Sequence, residues 1–218
     1  MITYLVMDKL SVKLIALAGL TGVVILIISF MINTGPGPNP TVSELTRFGR
    51  EHYTSIMIGS WMQAVSPPLI VTFALGLVSI SGNNGTLYGS LTFLGGLILL
   101  IVSIMEVALY FSALTGTPAT TGMISIELIP SVQRLYSIIA APFFFFALSS
   151  LILRSNVLPL IMGYIGFLLG AVFFVMGILE LFFSVQNIVD IVAMVQGLWW
   201  LIASILVLLN AGKLARRA

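Results

Sequence analysis

The chain has no cysteine, one histidine and three lysines in 218 residues, and only 7% of its residues are charged. Without cysteine there are no disulfides, no thiolate metal sites and no thiol nucleophile. One histidine excludes bis-histidine haem within a single chain, and the neighbouring pair Glu51–His52 falls short of the three or four ligands that zinc needs, so no metal site is expected. Lys9, Lys13 and Lys213 all fall outside the predicted spans, which leaves no Schiff-base partner for retinal inside a helix bundle. No G-x-S-x-G, H-E-x-x-H or P-loop pattern occurs. The reading is a non-enzymatic protein, and a net charge of +2 from so few groups gives no footing for nucleic acid.

What is present is apolar: 59% of residues are hydrophobic, whereas soluble domains carry roughly 25% charge. The solvent is lipid. Runs near the roughly 20 residues that a bilayer demands predict six helices at 14–33, 55–80, 87–113, 132–153, 158–184 and 188–210. The expectation is an all-α, polytopic transmembrane bundle forming one domain over 1–218. The first run is longer than the roughly 7–15 residues of a signal-peptide core, so an uncleaved first helix is expected.

Lys and Arg set the orientation. With both termini inside, Lys9, Lys13, Arg154, Lys213, Arg216 and Arg217 face the cytoplasm, against Arg47, Arg50 and Arg134 outside. The outer connections, about 34–54 and 114–131, are then the long ones. This placement makes the cell membrane the expected location, with lipid as the expected contact together with other membrane subunits or a second copy. Cysteines introduced at Asn84 and Thr117 should label from the cytoplasmic and outer sides respectively; reversed labelling would overturn the orientation.

The first outer segment changes character along its length. TGPGPNP cannot continue a helix. In TVSELTRFGREHY, Thr41 and Glu44 stand in capping-box spacing while Val42, Leu45 and Phe48 share one side, predicting a short amphipathic helix on the outer interface. It either anchors the second span or lids a site beneath it, and in the second case Arg50, Glu51, His52 and Arg134 are the candidate lid or partner contacts.

Two carboxylates sit inside apolar runs, Glu106 in IVSIMEVALYF and Glu180 in FFVMGILELFF. Gly89, Thr92, Gly96, Leu99, Ser103, Glu106 and Tyr110 form one stripe, and Gly163, Gly166, Gly170, Phe173, Gly177, Glu180 and Ser184 another. Small residues let helices approach closely, so both stripes should face neighbouring helices. The two runs also match at a shift of 74 residues, which raises an internal repeat of helical hairpins as a possibility. Intramembrane carboxylates cost about 2.5–3.5 kcal/mol each by insertion scales and mark functional sites by default, with hydrogen-bonded packing as the competing role. Glu106, Glu180, Ser103 and Tyr110 are therefore the candidate proton or ligand site.

Pro67–Pro68 and Pro142 interrupt the second and fourth spans, whereas Trp199 and Trp200 sit mid-span as packing residues. The first span with its Pro-rich exit, SELTRFGREHYTSIMIGSWMQ, and VLPLIMGYIGFLLG opening the fifth span together resemble uncharacterised six-helix bacterial and archaeal membrane proteins. That resemblance implies a topology and no catalytic residues. Two functions stand: an accessory subunit or binder of lipid or another apolar ligand, and a small proton-linked transporter using Glu106 and Glu180.

Overall fold

Asp8 starts the first helix. In the computed structural model, which describes residues 8–33, 41–115, 119–183 and 186–216, its carboxylate accepts the Ser11 amide at 2.7 Å. That bond satisfies one orphan donor of a helix N-terminus, and α1 runs from there over Lys9–Ile32. The same bond holds the Asp8 carboxyl below its ordinary value. The cap is complete at neutral pH and fades as pH falls from the ordinary carboxylate value through the lowered one. Lys9 and Lys13 therefore lie within the first turns of α1 rather than outside the span, exposed at its end where their stems can snorkel. Residues 34–40, the side chain of Val42, Ser184 and Arg217 lie outside the described residues.

The capping box forms. Glu44 Oε2 accepts the Thr41 amide at 2.7 Å and Thr41 Oγ1 accepts the Glu44 amide at 3.4 Å, opening α2 at Val42–Glu51. Leu45 and Phe48 are half-buried, while Glu44, Arg47, Arg50 and Glu51 are exposed. Spin labels at Leu45 and Phe48 should thus be less water-accessible than labels at Glu44 and Arg47, and Thr41→Ala should erase the contrast by fraying the helix. Uniform accessibility in the parent protein would remove α2.

Six helices are long and apolar enough to cross a membrane. They are α1, α3 (Tyr53–Ile80), α4 (Leu87–Thr115), a fourth span built from α5 (Ala119–Leu135), a π-helical turn (Tyr136–Ala140) and α6 (Ala141–Ser155), then α7 (Leu160–Leu179) and α8 (Gln186–Leu209); a short α9 (Ala211–Leu214) follows. All regular structure among the described residues is helical. The chain is an integral membrane protein of multi-pass type.

The fourth span differs most from its sequence reading. Residues 114–131, expected as an outer connection, are helical from Ala119, and the continuous span Gly122–Ser155 has 34 residues. At about 1.5 Å per residue it exceeds a roughly 30 Å hydrocarbon core by about four turns. The excess pairs with the end of α4: Ser125 Oγ donates to Ser112 Oγ at 2.8 Å, and a Cβ on Gly122 would meet the Ala113 carbonyl oxygen at 2.8 Å. Pro142 accounts for the π turn. It has no N–H for the Ile138 carbonyl and its ring crowds that group, and widening the turn absorbs the mismatch. The Ala141 amide accordingly donates to the Tyr136 carbonyl.

The spans close into a ring. α1 packs on α3, α3 on α4, α4 on α6, α6 on α7, α7 on α8, and α8 returns to α1. The start of α1, α9 and the turns at 81–86 and 156–159 share one face, the terminal face; α2 and the far ends of α4 and α5 lie at the opposite, far face. Phe93, Leu94, Leu97, Ile101, Ile104 and Met105 of α4 point outward to lipid.

The 74-residue correspondence extends to packing. Among the described residues the left-handed conformation occurs at Gly82 (φ 68°) and Asn156 (φ 52°), the same position of the two turns. A Cβ on Gly89 would meet Val78 at 3.0 Å and one on Gly163 would meet Ile152 at 3.3 Å; one on Gly96 would meet Val71 at 2.9 Å and one on Gly170 would meet Phe145 at 3.2 Å. Each partner pair, 78 with 152 and 71 with 145, is again 74 apart, as are Pro68 and Pro142. The α3–α4 hairpin and the hairpin of the fourth span with α7 therefore pack in the same register. Both run in the same direction.

Candidate functional site

Five buried rings fill the centre of the ring. Trp200 stacks on Phe144 at 5.7 Å and meets Phe145 at 5.5 Å, Phe73 at 6.1 Å and Trp199 at 4.8 Å. None of the five is more than 2% exposed. Trp199 Nε1 donates to the Met162 carbonyl at 2.9 Å, tying α8 to α7. Three spans, α3, α6 and α8, thus meet in one aromatic plug. From the plug to the terminal face the buried side chains are mainly apolar, among them Leu77, Leu151, Ile152 and Val207.

The far half is different. On α3, Ser60, Gln63 and Ser66 recur on the buried side, with Trp61, Pro68 and Thr72 on the exposed one. Gln63 lies eight residues beyond Val71 and Glu106 ten beyond Gly96, two residues in mutual contact, so both stand about 12–15 Å above that level at about 1.5 Å per residue. From the neighbouring α5, Gln133 Nε2 donates to Glu106 Oε1 at 2.8 Å. Tyr110 follows Glu106 by one turn, with its hydroxyl beside both Gln133 and Glu106. Tyr136, in the π turn, donates to Gln196 Oε1 at 2.6 Å, lies within electrostatic range of Glu106, and packs edge-on against Phe173 at 5.6 Å. Five elements, α3, α4, α5, the π turn and α8, contribute to this polar band.

Several members have spare capacity. The hydroxyls of Ser60, Ser66 and Ser137 and the Oε1 of Gln63 are buried without a hydrogen-bond partner among the described residues. Buried hydroxyls elsewhere usually return to their own helix: Ser29 to Leu26, Thr92 to Tyr88 and Ser204 to Trp200. Trp200 Nε1 in the plug, and the hydroxyls of Ser149 and Ser155 on the terminal side of it, are orphaned as well. Pro67 and Pro68 have no N–H for the carbonyls of Gln63 and Ala64, which adds backbone acceptors at the same level.

Of the residues singled out from sequence, Glu106 and Tyr110 come together on Gln133, and Ser103 is half-buried one turn before Glu106 on the same stripe. Glu180 is buried where α7 ends. α4 and α7 each pack on the fourth span, which stands between them, so the partner of Glu106 in this structure is Gln133 rather than the second carboxylate. Arg50, Glu51 and His52 are exposed at the α2–α3 junction, His52 with its ring 4.4 Å from Phe48. Arg134 is exposed on α5. Glu51 lies 4.0 Å from Arg47 across one exposed helical turn, a pair of the kind that contributes little. α2 reaches the end of α4, where Gly49 faces Leu114.

Gln133, Tyr136, Ser137 and Gln196 were not legible as site residues from the sequence, although 133, 136 and 137 fall at helical spacing on one face. Groups of three or more metal-ligating side chains are absent among the described residues. Compared with protein-family models, with characterised proteins and with solved structures, the chain matches none.

Proposed function

We propose that the protein is a non-enzymatic membrane receptor or accessory protein that binds a small ligand in the far half of its bundle, with the terminal face toward the cytoplasm of the cell membrane. The supporting observation is the concentration of orphaned polar groups above the five-ring plug, where Ser60, Gln63, Ser66 and Ser137 lie, against Ser149 and Ser155 below it. Buried polar groups without partners cost about 1–3 kcal/mol each, and a ligand that satisfies them recovers that cost. A plug buried to this degree blocks passage, which favours binding over transport. The proton-linked transporter is the second reading, favoured by the repeated hairpins and the prolines at equivalent positions, and it requires the plug to move.

Native mass spectrometry of protein purified in its own lipids tests the binding role. A small molecule should leave with the wild-type protein and be lost from Gln63→Leu. Preparations that are empty in both cases, or equally loaded, would remove the reading.

A further inference from the structure

We infer that the ligand of the far-half site, on the binding reading above, carries a protonated primary or secondary amine with Glu106 as its counter-ion. The inference starts from the kind of capacity left over. Gln63 presents its carbonyl oxygen without a donor, the Gln63 and Ala64 backbone carbonyls lose their helical donors to Pro67 and Pro68, and Glu106 has one carboxylate oxygen engaged by Gln133. The hydroxyls of Ser60, Ser66 and Ser137 serve either role. The band is therefore rich in acceptors, holds the Glu106 carboxylate at the level of Gln63 on the adjacent helix, and keeps Arg50 and Arg134 exposed. Among the described residues an anion finds no buried cation here. A neutral acceptor ligand would leave the carbonyls as they are.

An ammonium group satisfies these requirements together. It brings one positive charge for one carboxylate and up to three N–H donors for the surrounding oxygens. Tyr110 lies one turn from Glu106 and Tyr136 within electrostatic range of it, and aromatic faces attract cations in desolvated sites. A divalent metal fits poorly, because calcium takes six to eight oxygens, commonly with several carboxylates, and the band offers one. The Gln133 amide holds Glu106 in place on the α5 side, so the carboxylate is fixed before a ligand arrives.

The test uses the full chain in lipid nanodiscs, with thermal unfolding followed at constant ionic strength in n-butylammonium, choline or sodium chloride. Butylammonium should raise the unfolding midpoint in a saturable manner, and choline, which has no N–H, and sodium should not. Glu106→Gln should weaken the butylammonium effect about tenfold or more, as expected when a charge-assisted bond is removed. Should that variant fail to fold, Gln63→Glu serves instead: a second carboxylate facing the amine should tighten binding, whereas Asn84→Ala at the terminal-face turn should leave it unchanged. An equal response to choline, a response to sodium alone, or a butylammonium effect untouched by either site variant would overturn the amine assignment. No butylammonium response from a protein that still releases a bound molecule in mass spectrometry would defeat the amine and leave the binding site standing; no response and no bound molecule would defeat both.

Discussion

Trp200→Ala should cost the folded bundle about 3–5 kcal/mol, the range for deleting a large buried aromatic side chain. Trp200 is 1% exposed and touches rings from α3, α6 and α8, so its removal leaves a void that no single helix shift can fill. The void would also join the polar band to the apolar terminal half, and water with polar partners on one side can enter it. Trp200→Phe should cost far less, because it keeps most of the ring volume and removes an indole N–H that has no acceptor among the described residues. Unfolding of the purified protein in detergent, followed by near-ultraviolet circular dichroism, measures both. A Trp200→Ala protein as stable as its parent would show that the five rings do not close the ring of helices.

Gly95→Leu and Gly177→Leu should abolish the folded monomer. A Cβ at Gly95 would lie 2.9 Å from the Phe144 Cα, and one at Gly177 would lie 2.8 Å from the Ile138 backbone. In both cases the obstacle is backbone, which cannot rotate away as a side-chain end can, and lipid offers no hydrophobic gain for holding separated helices together. Gly96→Ala is the graded comparison, since its obstacle is a Val71 methyl at 2.9 Å, and it should fold with a lowered midpoint. Gly85→Ala meets nothing within 4 Å and should be neutral. Size-exclusion profiles of the four variants read the order directly. Equal behaviour of Gly95→Leu and Gly85→Ala would contradict the close approach of α4 to α6.

The spans were readable because a bilayer imposes a length and forbids unpaired backbone, so hydropathy alone places six helices. α2 was readable because Thr41 and Glu44 carry a mechanism in their spacing. The helix over 119–131 was hidden: Gly122, Pro130 and the Thr pair at 120–121 suggest a loop by composition, and packing on the end of α4 overrides them. The π turn was equally hidden, since Pro142 predicts a break but not how neighbours absorb it. The repeat shows both sides. Its glycines and glutamates align in sequence, whereas the shared left-handed turn falls on Gly82 in one copy and Asn156 in the other, two residue types that comparison by identity does not pair although both tolerate that conformation. Glu106 stands out as a charge in an apolar run; its partner Gln133 sits at the start of the predicted fourth span beside Arg134, where an uncharged amide at a span end carries no burial cost that marks it.

Access to Gln63 decides the central claim that the far half is a polar site sealed from the terminal face. The chain has no native cysteine, so Gln63→Cys gives a single thiol, and a membrane-impermeant methanethiosulfonate reagent can be applied to sealed vesicles of either orientation, with sidedness set by a separate cysteine at Asn84. The account predicts modification of position 63 only from the face opposite Asn84, and modification from both faces once Trp200→Ala is added. Labelling from the Asn84 side with the plug intact, or none from either side, would contradict it.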